Sequence, residues 1–216
     1  MFIFPSNHSQ NINQLTALIA QLDPLVPGYH VDIMDGHYVS HTMGSIELTH
    51  QIRNLTQKQL WVHLMVHNPI TWIELLQLNP GDIVSVHYET IAKDYERFIK
   101  TAEHKQLVAS LAINPETPIK KIAHLLPCFN HILLMSVNPG ASGQAFILGT
   151  FEKINELIDW QKKNHASLNI TVDGGVNESN IKQLKELNVT AVAVTNGLFN
   201  NFDPIDNFNK LKKLTE

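Results

Sequence analysis

Residues 30–37 read HVDIMDGH, a segment whose apolar members suit a buried strand but which also carries two histidines and two aspartates. An ionised carboxylate in apolar surroundings is costly unless a cation or a hydrogen-bond donor meets it, so these residues need a partner from elsewhere in the chain. His30 and Asp32 stand two apart, which on a strand puts both side chains on one face. His63 lies in a second apolar run, VHLMV, and Asp173 closes a third, ITVDGG. Any one of them alone is more commonly a satisfied core residue. Together, two imidazoles and two carboxylates from three strand ends make a divalent-metal site, expected to take Zn2+ or Fe2+ first and Mn2+ or Co2+ as alternatives, in preference to Ca2+. Met34 and Met65 each follow a proposed ligand by two residues, and Met135 falls near the end of another apolar run. Thioethers are poor ligands for these metals, so the three are expected to form an apolar lining that excludes water.

The elements that must position these residues are short apolar runs with amphipathic segments between them. Candidate strands are 1–4, 29–34, 60–66, 82–87, 107–113, 131–137, 168–173 and 190–195. Apolar residues recur at helical spacing between them, as at Leu15, Leu18, Ile19 and Leu22, or Phe151, Ile154, Leu157 and Ile158. Near-continuous apolar strands alternating with helices favour a parallel sheet covered by helices. Eight such units in a chain of 216 residues predict an α/β fold, a (β/α)8 TIM barrel, as one domain over 1–216. An open dinucleotide-binding sheet would want GxGxxG after an early strand, and none occurs. The glycine-rich turns come late, NPGASGQ at 138–144 and DGG at 173–175, where barrels often build phosphate sites from backbone N–H groups.

A formal charge of −4 gives no reason to expect nucleic acid or an acidic membrane as partner. The single cysteine, Cys128, excludes an intrachain disulfide and fits a reducing compartment. With no leader pattern and no long apolar run, a cytoplasmic protein is expected. The other histidines are expected mostly on the surface or in loops, except His37 and His87, which fall close to the proposed mouth; Lys182 and Lys185 read as a solvated helix face.

The anchors PS (5–6), HVDIMDGHYV (30–39), VHLMV (62–66), SVHYE (85–89), INPETP (113–118), MSVNPGASGQAF (135–146) and VDGGVN (172–177) resemble the ribulose-phosphate 3-epimerases and the related allulose-6-phosphate 3-epimerases. The resemblance implies a barrel of the ribulose-phosphate-binding type that inverts the carbon beside the carbonyl of a ketose phosphate with one divalent metal ion. It implies His30, Asp32, His63 and Asp173 as ligands, Asp32 and Asp173 as the acid/base pair, and Ser6 and His63 as substrate contacts. Phosphate would be held by Gly140, Ala141, Ser142 and Gly143, by Gly174 and Gly175, and by Thr195 and Asn196. The resemblance also implies a homo-oligomer. Ala141 and Ser142 stand where phenylalanine and glycine are typical, and Thr195 and Asn196 replace a usual Gly-Ser, so less bare backbone is offered to the anion. Pentulose phosphate leads as substrate, with hexulose phosphate and a silent sugar-phosphate-binding barrel as alternatives. An aldolase or decarboxylase would want a strand-end lysine, and none of the eight candidate strands contains one.

Overall fold

All eight apolar runs are strands in the computed structural model, which describes residues 1–6, 11–141, 143–199 and 203–216. In chain order the elements are β1 (Phe2–Pro5), α1 (Ile12–Leu22), β2 (Gly28–Asp35), β3 (Thr42–Met43), α2 (Ile46–Leu55), β4 (Gln59–Met65), α3 (Pro69–Leu75) and β5 (Ile83–His87). They continue with α4 (Tyr88–Ile91), α5 (Tyr95–His104), β6 (Val108–Ile113), α6 (Ile119–Ile122), β7 (His131–Met135), α7 (Gly149–Asn164), β8 (Asn169–Asp173), α8 (Ile181–Glu186), β9 (Ala191–Val194), α9 (Asn196–Phe199) and α10 (Pro204–Lys213). The two-residue β3 has no counterpart among the expected strands. It pairs antiparallel with β2, Met43 opposite Met34.

Two units divide the chain, Phe4–Ala109 and Met1–Ile3 with Ser110–Glu216. In the first, β5, β4, β2 and β3 are neighbours in that order, with β2, β4 and β5 parallel. The parallel register sets Asp32 beside His63 and Met34 beside Met65, and His63 beside Ser85. After β1 the chain bridges Ser6 to His30 in parallel. In the second unit β9, β8, β7 and β6 are parallel neighbours, and Asp173 stands level with Met135 and Ala193. Every residue of β5, β7 and β9 is buried, the pattern of strands covered on both faces.

Helix starts follow local chemistry. Asn11 caps α1 through its side-chain oxygen, and Leu15, Ile19 and Leu22 form its buried stripe. Ser45 accepts from Leu48 N to open α2, and Asp203 accepts from Ile205 N and Asp206 N to open α10 ahead of Pro204. Lys185, expected on a solvated face, instead donates to the Thr215 carbonyl at 2.7 Å, because the carbonyls of the C-terminal turn lie within its reach.

At the start of β4 and β5, Arg53 turns inward from the last turn of α2. It donates to both Asp82 oxygens, at 3.2 and 3.0 Å, and to the carbonyls of Thr56 and Lys58. Asp82 also accepts from Leu60 N and Asn79 N, each at 2.8 Å. Removing one partner of a buried pair strands the other charge, so Asp82→Ala is expected to destabilise the protein by about 3–5 kcal/mol in urea titration. A loss below about 1 kcal/mol would place the pair with ordinary surface ion pairs.

His131 opens β7 and is buried, against the expectation that it lies at the surface. Its Nδ1 meets Ser110 Oγ at 2.8 Å. Burial pushes its pKa down from 6.5 to about 4. Above pH 6.5 neither the folded nor the unfolded state binds this proton. Below it the unfolded chain is protonated first, so stability falls as pH drops from 6.5 to about 4. The loss approaches about 3 kcal/mol at the acid end of that window. Denaturant titrations across the window should show this slope, flattened in His131→Gln.

Candidate metal and substrate site

The β2–β4 register places the residues on shared levels. Two residues past His30 and Trp61, on the same face, come Asp32 and His63, and two beyond them Met34 and Met65. His30 and His63 are fully buried, Asp32 is 9% exposed, and Met34 and Met65 are buried. Met34 and Met65 stand one level beyond Asp32 and His63 on β2 and β4, and in the other unit Met135 pairs with Asp173.

Ser6 closes the cluster from the end of β1. Its hydroxyl donates to Asp32 Oδ2 at 3.0 Å and lies 3.1 Å from His30 Nδ1, while Asp32 Oδ1 is 3.1 Å from His63 Nδ1. Burial alone would raise the Asp32 pKa. The charge of His30, the hydrogen bond and charge of His63 and the Ser6 hydroxyl outweigh it, holding the carboxyl ionised well below the usual range. His30, Asp32 and His63 each offer one donor atom, and these atoms lie within 4.8 Å of one another. Two imidazole nitrogens and an ionised carboxylate oxygen, buried and converging, fit a divalent transition metal.

Asp35, the second aspartate of the opening motif, serves the backbone instead. It accepts from His37 N at 2.8 Å, Tyr38 N at 3.0 Å and His67 N at 2.7 Å, tying the loop after β2 to the loop after β4. Burial would raise its pKa, but these three amides outweigh it and lower the value. His37 itself is an exposed loop residue, its ring 80% exposed.

Asp173 ends β8 and is 8% exposed. The Gly174–Gly175 turn that follows takes positive φ at both residues. A Cβ at Gly174 would fall 2.4 Å from the Val137 side chain, and one at Gly175 would fall 2.7 Å from Phe146 N. Glycine is therefore required where this turn lies against the loop after β7. In that loop Gly140 and Gly143 also have positive φ, and Gln144 Nε2 binds the Asn138 and Ala141 carbonyls. A Cβ on Gly143 would lie 3.1 Å from Asn196 Nδ2. The three segments expected to hold phosphate, around 140–143, 174–175 and 195–196, are thus adjacent within one unit. Ser142 lies outside the described residues.

Three contributors escaped sequence reasoning. Trp61 sets its ring edge-on to His30 at 4.6 Å and donates Nε1–H to Ser85 Oγ at 2.8 Å. A Cβ on Gly44 would stand 2.3 Å from the Asp32 carbonyl oxygen, so only glycine lets the chain after β3 lie on β2. His87, noted only as near the mouth, is fully buried with Nε2 2.8 Å from His63 Nε2. A histidine at an apolar strand end, within the SVHYE segment, was the available signal.

A family described as the ribulose-phosphate 3 epimerase family matches residues 2–199. A ribulose-phosphate 3-epimerase of Helicobacter pylori (strain J99) is 38% identical over 81% of this chain and 80% of its own. That of a Synechocystis species is 34% identical over 92% and 87%. Among solved structures, 3-hexulose-6-phosphate synthase from Salmonella typhimurium superposes with TM-score 0.73 at 12% identity, over 100% of this chain and 98% of its own. A structure of KGPDC from Streptococcus mutans in complex with D-R5P superposes with TM-score 0.68 at 10% identity, over 99% and 96%. The fold is of the (β/α)8 barrel class, as the strand–helix alternation required. No helix among the described residues is long and apolar enough to cross a membrane.

Proposed function

Because the chain belongs to the ribulose-phosphate 3-epimerase family, an isomerase family, we propose that it inverts carbon 3 of a ketose phosphate in a metal-dependent reaction, interconverting D-ribulose 5-phosphate and D-xylulose 5-phosphate. The observation that carries this reading is the buried His30–Asp32–His63 cluster, three metal-type donors on two adjacent parallel strands. Asp173, a buried carboxylate at the end of β8, is the fourth ligand in this reading. Zn2+ or Fe2+ is preferred, Mn2+ and Co2+ being chemically admissible. Such an ion supplies Lewis-acid stabilisation of charge on the ketose oxygens.

The chain's own residues do the rest. A proton α to a ketone leaves slowly unless the base is held against it, and inversion needs a carboxyl group on each face of the flattened carbon. Asp32 and Asp173 take these roles, one ionised to remove the proton while the other, protonated, delivers one to the opposite face. Ser6 fixes the Asp32 carboxylate through Oδ2. Met34, Met65 and Met135 keep water from the reacting carbon. The glycine turns at 140–143 and 174–175, with Thr195 and Asn196, hold the phosphate through backbone N–H and side-chain donors. The reading includes a single domain over 1–216, a homo-oligomer and the cytoplasm as location, with neither nucleic acid nor membrane as partner.

The test is metal analysis of the purified protein followed by epimerisation assays on D-ribulose 5-phosphate and D-allulose 6-phosphate side by side in D2O. Faster turnover of the pentulose, with solvent deuterium at carbon 3 of the product, is expected. Preference for the hexulose would move the substrate to the related branch. Bound metal without any deuterium exchange would replace the enzyme by a sugar-phosphate-binding barrel.

A further inference from the structure

His87 is the last residue of β5 and lies two residues beyond Ser85, which pairs with His63; its side chain therefore projects on the same face as the cluster. Its backbone is extended, φ −73° and ψ 135°, and its carbonyl accepts from Thr90 Oγ1 at 2.9 Å, which ties its main chain to the turn into α4. The ring is fully buried and stacks on His63 with centroids 5.0 Å apart and planes at 27°. The two Nε2 atoms are 2.8 Å apart. At that distance one ring must donate and the other accept, so the tautomer of each is bound to the tautomer of the other.

The far end of His87 faces a carboxylate at ion-pair distance. Its Nδ1 is 3.6 Å from Glu89 Oε2, the Tyr38 ring lies 4.8 Å away, and the Tyr38 hydroxyl donates to the same Glu89 oxygen at 3.4 Å. A carboxylate at Nδ1 favours the proton on Nδ1 and leaves Nε2 as acceptor. A histidine whose Nδ1 gives its lone pair to a metal carries its proton on Nε2, and such ligands are generally oriented by an acceptor at that outer nitrogen. His63 Nδ1 is the nitrogen that faces Asp32, and His87 Nε2 lies 2.8 Å from its outer nitrogen, within reach to accept that proton.

We propose that His87 is a positioning residue for His63: its Nε2 receives the Nε2 proton of His63, while the Glu89 carboxylate, 3.6 Å from its Nδ1 and bound by the Tyr38 hydroxyl, favours a proton on Nδ1, so that His63 keeps Nδ1 directed at the ion. The inference rests on the metal reading above. It assigns to the SVHYE segment a task separate from substrate contact, which explains why the glutamate stands two residues after the histidine. An apolar ring of similar size would fill the same space but would leave the outer nitrogen of His63 without this acceptor.

The experiment uses zinc-loaded protein with 15N-labelled histidine. Two-bond 15N–1H correlation spectra are expected to show His63 protonated at Nε2 and His87 at Nδ1. Chelator competition should give a zinc affinity about 10- to 100-fold lower in His87→Phe than in wild type. His87→Gln, whose amide oxygen can accept the same proton, should recover part of the loss, and Glu89→Gln should fall between. The Co2+-loaded His87→Phe protein should show a shifted d–d absorption band. Wild-type zinc affinity in His87→Phe, or a His87 protonated at Nε2 in the zinc-loaded wild type, overturns the proposal. The second readout needs no variant to fold. A wild type that binds no zinc with appreciable affinity defeats the metal reading itself, and this inference with it.

Discussion

Asp173→Asn is expected to lower the epimerisation rate by about 10²- to 10⁴-fold, the range for loss of one positioned acid/base group. Asparagine keeps the size of the side chain and an oxygen for a metal, so the fold and most of the metal occupancy should survive. What it loses is the ability to take or give the proton on one face. The other carboxylate, Asp32, remains ionised and anchored by Ser6 and His63. In D2O the variant should therefore still exchange the carbon-3 proton of the epimer that presents it to Asp32, with retention of configuration, while conversion to the other epimer stops. Asp32→Asn should show the complementary pattern, with exchange confined to the opposite epimer. NMR of both epimers during turnover separates these cases. A metal-loaded Asp173→Asn enzyme that epimerises within about threefold of wild type would rule out a two-carboxylate mechanism.

The placement of His30, Asp32 and His63 was legible because each interrupts an apolar strand, and strand periodicity fixes which face it takes. His30 with Asp32 could be assigned to one face from their spacing alone, and the register beside His63 follows once β2 and β4 are known to be parallel neighbours. The eight strands were legible for the same reason, being apolar runs buried on both faces. Parts without a periodic signature were not. The two residues of β3 are too few to alternate, and their position depends on Gly44 lying close to the Asp32 carbonyl, a contact made by a segment outside every motif. Asp35 and Asp32 look alike in sequence. One meets a serine hydroxyl and imidazoles and the other three backbone amides, a difference set by tertiary placement. His131 and His87 likewise differ from the surface histidines only in where their strands run.

Stripping the metal with a chelator and dialysing is expected to abolish epimerisation, by at least about 10²- to 10³-fold, the scale of one preorganised electrostatic group, with recovery on adding Zn2+ or Fe2+ but not Ca2+. The selectivity follows from the donor set, since two imidazole nitrogens favour the transition metals over an oxygen-seeking ion. The stripped protein should remain folded. Asp32 already has Ser6 and His63 as hydrogen-bond partners, and β2 and β4 are paired over seven residues by their own ladder, so the ion is not required to assemble the strands that bear its ligands. Its contribution to stability is then a binding linkage, about 2.7 kcal/mol when free metal stands at 100 times its dissociation constant. Thermal unfolding should accordingly shift upward with added Zn2+ while the circular dichroism of the stripped and loaded forms stays the same. Full activity in protein shown by elemental analysis to hold no transition metal would dismiss the ion as a participant and leave the buried histidines a purely structural role.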